Sequence, residues 1–376
     1  MSNKSLTLGI RLVKAVIIAG GFGTRLRPLS CTRPKHLFPL AGRPLLDWTV
    51  ERLANSGVNE IVFAVNYMAE AFSKRYGKSA FGMKTNYCQE SEPLGTGGCV
   101  KNAEHIIGHD EDFLLLNGDV LSDLDYIKLI AEHRKNRGVA TITLHRVKDP
   151  SRYGVVELAE KNRIKRFVEK PPKEKAPSNL INAGIYTLSP KIFNYIPANK
   201  RVSIERAVFP ALARNNELFG YKFNGLWIDI GEPHDFLKAN RILLGSHTDK
   251  NRIAKTAKIG NTAKMNNPVA IGEGVRVGEK STIGPFVTLG DRVTIGKGVD
   301  IRNSVVLAET AILDSSFVEG AIIGEKVSVG KHVRIAADCL IGDHVTIHDN
   351  LRLAKGVTVC PYREVVDSPR ASTCLM

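Results

Sequence analysis

The sequence predicts an α/β domain, with a mainly parallel sheet sandwiched by helices, over residues 1–245, then a solenoid of short parallel strands over residues 252–376. Two periodicities carry that reading. In the first part aliphatic strands alternate with amphipathic helices; in the second an apolar residue recurs at every sixth position. Between Gly245 and Asn267 polar residues replace the α/β pattern. Size agrees, since 376 residues favour two domains at roughly 100–200 residues each. A composition of 43% hydrophobic and 24% charged residues excludes a disordered or collagen-like chain, and no run reaches the ~18 apolar residues that span a bilayer.

Taken in order, Lys14–Gly20 (KAVIIAG) is an aliphatic strand ending in glycines. Pro44–Ser56 has the spacing of an amphipathic helix, and Glu60–Asn66 (EIVFAVN) is a second strand. Phe113–Leu116 is a short buried strand leading into Asn117-Gly118-Asp119, Asp123–Arg137 a helix, and Ala140–Val147 a strand again. Strands that are aliphatic throughout are covered on both faces, which favours parallel pairing.

In the second half Ile271, Val277, Ile283, Leu289, Ile295 and Ile301 fall six apart, and the spacing resumes from Ile323 through Val329, Ile335, Ile341, Ile347, Leu353 and Val359. The 22-residue gap between the series is not a multiple of six, but Val306, Ile312 and Val318 bridge it if two steps shorten to five. Glycine follows most of these marks, and a second apolar set (Val275, Val287, Val293 and onward) sits four positions on. Period six with small corner residues describes flat strands wound around an aliphatic interior. An antiparallel sandwich would not hold register over thirteen marks. The pattern resembles that of hexapeptide-repeat proteins, which implies a left-handed parallel β-helix.

The net charge of +15 is spread along the chain without a Lys/Arg tract, so neither nucleic acid nor a membrane is expected as partner, whereas a polyphosphate substrate fits. Six scattered cysteines form no CxxC pair and no His/Cys cluster, which argues against a zinc site or a disulfide framework and fits reduced thiols in the cytoplasm. Within Met1–Lys14 the apolar run Leu6–Ile10 is too short for a secretory signal, which agrees with a cytoplasmic location.

The first strand delivers the chain into Gly20-Gly21-Phe22-Gly23-Thr24-Arg25-Leu26-Arg27-Pro28. Ligands of open α/β sheets bind beyond the carboxyl ends of the strands, and glycines let backbone N–H groups approach phosphate oxygens while arginines add charged donors. The loop is not GxxxxGK[ST], and the dinucleotide fingerprint fails at Leu26 and Pro28. Downstream, Lys35 sits in the proline-flanked Pro34–Pro39 segment, and Glu90–Gly98 is a second glycine turn opening a helix. Together GGFGTRLRPLS, PKHLFP, PLGTGG, NGDV, YGVVE, VEKP, NAGIY, SIERAVFP and WIDIGEP resemble, in order and spacing, the sugar-phosphate nucleotidylyltransferases. That family implies a Rossmann-like sheet, and the repeat region is also found in it.

The resemblance implies attack by a sugar 1-phosphate oxygen on the α-phosphorus of a nucleoside triphosphate, with loss of pyrophosphate. Gly20, Gly21, Gly23, Thr24, Arg25, Lys35, Glu90, Pro93 and Gly95 would bind the nucleotide, with Arg25, Lys35 and Asp119 as the catalytic set. Gly154, Glu169, Lys170 and Asn182 would hold the sugar phosphate, and Asp119 and Asp229 a Mg2+ ion. A Glu90 carboxylate suits guanine, whose N1–H and amino group donate, and SIERAVFP points toward mannose. His36 departs from the family pattern, which has proline there; a local loop hydrogen bond is expected of it rather than catalysis.

Other readings stay open: a thymidylyl or uridylyl transferase acting on glucose 1-phosphate, an added acetyltransferase using His332, His344 or His348, and a non-catalytic regulatory subunit. Exposed coil ends favour a homo-oligomer joined through residues 252–360.

Overall fold

The structure, a computed structural model, describes residues 13–90, 92–246 and 251–376. The expectation about Met1–Lys14 therefore falls almost entirely outside the described residues, as does Ser91 of the second glycine turn. The chain forms two compact units: unit 1 holds the described residues up to Gly21 together with Leu46–Ile228, and unit 2 holds Phe22–Leu45 and Asp229–Met376.

Unit 1 is built on a ten-stranded sheet: β1 (Lys14–Ile18), β2 (Glu60–Val65), β3 (Ser79–Ala80), β4 (Met83–Gln89), β5 (Phe113–Asn117), β6 (Ala140–Arg146), β7 (Gly154–Leu158), β8 (Ile164–Glu169), β9 (Leu180–Leu188) and β10 (Leu218–Lys222). Its order is β8-β7-β9-β5-β1-β2-β4-β3, with β6 between β9 and β10. The centre, β5-β1-β2-β4, is parallel, as the aliphatic runs predict. From β9 outward the pairing turns antiparallel, apart from β10, which joins β6 in parallel, so the sheet is mixed.

The helices run close to the spans their patterns predict. The first, α1 (Leu45–Asn55), is one residue shorter at each end than its apolar pattern. A second, α2 (Gly95–Asn102), follows the second glycine turn. The next, α3 (Tyr126–Asn136), begins only after Asp125, whose carboxylate accepts the Lys128 N–H at 3.1 Å and so fixes the first turn. Val16, Val62, Leu115, Ile142, Tyr186 and Phe209 share one buried core.

The solenoid fills most of unit 2, in three parallel sheets of eight, seven and six strands. All sixteen marked aliphatic residues from Ile271 to Val359 are buried, most of them completely. Along most of its length each strand pairs with the one 18 residues on, for example Val277 with Ile295. Where a pairing crosses the Ile301–Val306 or Val318–Ile323 step the offset falls to 17, as in Leu289 with Val306 and Ile312 with Val329. Those are the two five-residue sides expected from the sequence. Corners admit only small residues: a Cβ on Gly296 would lie 2.4 Å from Asp314 Oδ1 of the next coil. The result is the parallel β-helix that the repeat implies. Helix α4 (Pro233–Ser246) precedes it, and the buried Asn240 amide oxygen of α4 accepts from Thr288 Oγ1 at 2.8 Å and from the Ala41 N–H at 2.9 Å.

Among the described residues no helix is long and apolar enough to cross a membrane. Because Ile312 is wholly buried in a close-packed interior, Ile312→Ala should cost about 2–5 kcal/mol of solenoid stability, read as an earlier urea transition.

Candidate active site

In unit 1 the carboxyl ends of the central strands carry the expected residues. Gly20 follows β1 and packs against Asn66, just past β2, while Gly21 opens on free space. Asp119 sits two residues beyond the end of β5, after a turn held by the Gly118 N–H donating to the Ile18 carbonyl at 2.9 Å. It is half-buried.

Glu90 follows β4 and is tied by its N–H to the Val65 carbonyl at 3.1 Å. One carboxylate oxygen accepts the Leu94 N–H at 3.3 Å; the other, Oε1, is buried and has no hydrogen-bond partner among the described residues. Burial pushes the Glu90 pKa up, and the Leu94 N–H pulls against it. Pro93 is exposed, and Gly95 opens α2 at φ 75°, where the backbone meets the Val202 carbonyl.

The antiparallel flank gathers the four expected sugar-phosphate residues. Gly154 lies directly across from Glu169 in the β7–β8 register, and β9 brings Asn182 alongside. No side chain fits at Gly154, since a Cβ would lie 2.4 Å from Phe167 Cζ and 2.9 Å from Glu169 Oε2. Lys170 takes a left-handed φ of 49°, its N–H donating to the Tyr153 carbonyl at 3.0 Å and its exposed ammonium lying 3.7 Å from Glu169 Oε1. Asn182 donates to the Tyr186 hydroxyl at 3.0 Å and accepts the Gly184 N–H at 3.0 Å. Burial raises the Glu169 pKa, repulsion from Glu205 adds to it, and Lys170 opposes both.

Sequence reading missed part of this wall. Glu205 lies in SIERAVFP, quoted only as a pointer, yet its Oε2 accepts from Thr96 Oγ1 at 2.6 Å and Ser203 Oγ at 2.7 Å. Its charge, with those of Glu169 and Asp119, reaches the buried Tyr186 hydroxyl and helps burial hold that group's pKa well up. Trp227 donates from its indole to the Ala183 carbonyl at 2.8 Å and meets the Tyr153 ring edge-on at 5.4 Å. The aromatic residues of YGVV and WIDI were the available signal.

Unit 2 holds Arg25 and Lys35. The segment Phe22–Leu45 has no long element, only 3-10 turns at Thr24–Leu26, Leu29–Cys31 and Lys35–Leu37 and a two-residue hairpin. A single 3-10 turn follows the glycines, with Pro28 just beyond it, where the dinucleotide fingerprint would need a long helix. Gly23 (φ 62°) is held by Ser30 Oγ donating to its carbonyl at 2.8 Å, and the Lys35 side chain packs against it. Arg25 lies over the backbone of Gly231, two residues past Asp229, with Nη1 3.6 Å from Glu232 Oε1. So unit 2 brings Gly23, Thr24, Arg25 and Lys35 into one short turn region and Arg25 close to the Asp229 strand end. His36 is buried within that segment.

The three solenoid histidines occupy its surface. His348 Nε2 lies 2.5 Å from Glu364 Oε1, the His344 ring stacks on Tyr362 at 4.6 Å, and His332 sits at a left-handed turn. Paired strands there are offset by 16 to 18 residues, which leaves no inserted loop between coils.

Residues 14–246 match the family model described as nucleotidyl transferase, and residues 265–374 that described as the GMPPB C-terminal domain. The chain is 42% identical over 245 residues to the mannose-1-phosphate guanyltransferase of Aspergillus oryzae, covering 64% of this chain and 66% of that one. It is 40% identical over 242 residues to the mannose-1-phosphate guanylyltransferase catalytic subunit beta of Dictyostelium discoideum, covering 63% and 66%. The matched region thus spans about two thirds of those relatives. Among solved structures, HddC from Yersinia pseudotuberculosis superposes with a TM-score of 0.54 at 32% identity, covering 62% of this chain and all of that one. A UDP-glucose pyrophosphorylase complexed with UDP-glucose, at 24% identity and a TM-score of 0.57 over 63% of this chain and all of that one, shares the fold. Enzymes of this family generally use a divalent metal ion and act on nucleotide and sugar phosphates. The resemblance carried by the nine motifs is borne out: the chain belongs to the nucleotidyl transferase family.

Proposed function

We propose that the chain transfers a guanylyl group from GTP to mannose 1-phosphate, giving GDP-mannose and pyrophosphate. The observation that carries the choice of base is Glu90: a buried Oε1 with no hydrogen-bond partner among the described residues, beside an oxygen already holding the Leu94 N–H, is an acceptor that a guanine N1–H or amino group satisfies. Uracil and thymine present carbonyls that such a carboxylate repels. Similarity to relatives named mannose-1-phosphate guanyltransferase supports the sugar.

In this reading the substrates are the anions, and the protein works by placing them. Two unit charges about 4 Å apart repel by about 4 kcal/mol in a partly dry site, so cations must offset that before the phosphates meet. Gly20, Gly21, Gly23 and Thr24 offer backbone donors to the triphosphate, and Pro93 and Gly95 shape the second turn beside the nucleotide. Arg25 takes the leaving pyrophosphate and Lys35 the phosphates at the reacting centre. Lys170 clamps the sugar phosphate, and Gly154, Glu169 and Asn182 line the sugar. The attacking oxygen is already ionised, so no side chain need act as nucleophile, and orientation with charge stabilisation supplies the rate. Asp119 and Asp229 are partly buried carboxylates, hard oxygen donors of the kind that fit Mg2+, and are assigned to hold it. When bound, the ion neutralises phosphate charge.

We assign the chain to the cytoplasm, supported by six cysteines that form no disulfide among the described residues, and to a homo-oligomer joined through residues 252–360, supported by end strands of the solenoid that pair on one side only among the described residues. Light scattering on the intact chain tests the second; a monomer refutes it. No nucleic acid or membrane enters this account.

Assaying pyrophosphate release for four triphosphates against a panel of sugar 1-phosphates should give GTP with mannose 1-phosphate the highest kcat/KM; a pyrimidine triphosphate in first place overturns the base assignment. Asp119→Ala should lower kcat at least about 100-fold, and unchanged turnover removes its role. Glu169→Gln gives a second test through pH. A carboxyl whose native pKa is raised binds its proton more tightly folded than unfolded, so the stability it allows is present at low pH and lost as pH rises past that value. The Gln variant should therefore melt higher than wild type at pH 7, the gap closing on acidification, while its KM for sugar phosphate rises. An unchanged Tm at pH 7 contradicts the buried charge.

A further inference from the structure

The solenoid repeats one corner device. Asp291, Asp314, Asp343 and Asp349 each use Oδ1 to accept a backbone N–H of the preceding coil, from Glu273, Lys297, Glu325 and Lys331, at 2.7–2.8 Å. Asp343 alone of the four is buried, 2% exposed. Its second oxygen faces the segment Phe22–Leu45 of the same unit: Oδ2 accepts from Arg33 Nη2 at 2.6 Å and from Thr32 Oγ1 at 2.5 Å. The other arm of the Arg33 guanidinium pairs with Glu325, one coil earlier. One arginine thus clamps two successive coils.

Its place in the sequence gives this consequence. Arg33 stands two residues before Lys35 and just after the turn that Ser30 ties to Gly23. A segment with so few ladder hydrogen bonds holds its shape through such external anchors. We propose that Arg33 and Asp343 are positioning residues for nucleotidyl transfer: the Asp343–Glu325 corner of the β-helix fixes, through Arg33 and Thr32, the turn that presents Lys35 to the triphosphate. This rests on the assignment of Lys35 in the proposed function. It gives the solenoid a part in the reaction without a ligand of its own. A planar fork matched to two carboxylates makes Arg33 unlike a lysine at that position.

Asp343→Asn isolates the anchor, because the Asn oxygen can still accept the Glu325 N–H while its NH2 group meets the donors of Arg33 and Thr32. Asp349→Asn is the control, an equivalent corner with no such duty. In the full chain, Arg33→Ala and Asp343→Asn should each lower kcat/KM for the triphosphate about tenfold or more. The double variant should be no worse than either single one, with KM for the sugar phosphate unchanged within about twofold. Wild-type kinetics in Asp343→Asn, or additive losses, overturn the proposal. Amide exchange reads the anchor apart from activity. It should quicken over residues 23–37 in Asp343→Asn and not in Asp349→Asn; equal protection in both overturns the anchor even if the chain proves to transfer another nucleotide.

Discussion

The proposed reaction turns on the repulsion between two phosphorylated substrates that must touch. A phosphate oxygen cannot approach another phosphate unless positive charge is already in place, and charge held loosely relaxes away instead of stabilising the reaction. In that reading the chain meets the demand with cations on backbone made rigid by side-chain anchors. Arg25 and Lys35 sit on a segment of single turns, and the order of that segment comes from what it is pinned to: Ser30 on Gly23, Arg33 on Asp343 and Glu325, Ala41 on Asn240, and Phe38 edge-on to Phe236 at 6.0 Å. Lys170 stands on a strained left-handed residue fixed by the Tyr153 carbonyl.

The acidic side obeys the same logic with the opposite sign. Glu90 and Glu169 are carboxylates kept where burial disfavours their charge. Such groups cost stability, and in the proposed function a donor-rich base or sugar relieves that cost on binding. Glu205 sharpens the effect at Glu169, since two neighbouring carboxylates cannot both be comfortable in a partly dry wall. Functional groups of this kind are drawn from the places where a purely structural sequence would put something neutral.

How much of this could be read from the sequence differed by physical cause. The solenoid was legible to single residues, including its two five-residue sides, because a repeat with one residue per strand pointing inward has almost no freedom of register. The central parallel strands were legible because aliphatic runs covered on both faces leave a plain signal. The antiparallel flank was not, since Ile164–Glu169 is half polar, Gly154–Leu158 carries a glutamate in its run, and the direction of both is set by neighbours far away in sequence. At the site, glycines, lysines and aspartates in known motifs could be named, but Glu205 and the Tyr153–Trp227 wall could not, because their parts depend on packing across strands. Nothing in the sequence sets Arg33 apart within a surplus of fifteen positive charges, and only the corner aspartate 310 residues away gives it meaning.

Positioning without a protein nucleophile has a stereochemical signature. A GTP analogue made chiral at the α-phosphorus by a single sulfur substitution, converted with mannose 1-phosphate and analysed for configuration in the nucleotide sugar, reads it directly. One in-line displacement inverts that centre. Inversion is the predicted result; retention, which requires two displacements through a nucleotidylated side chain, would contradict direct attack by the sugar phosphate.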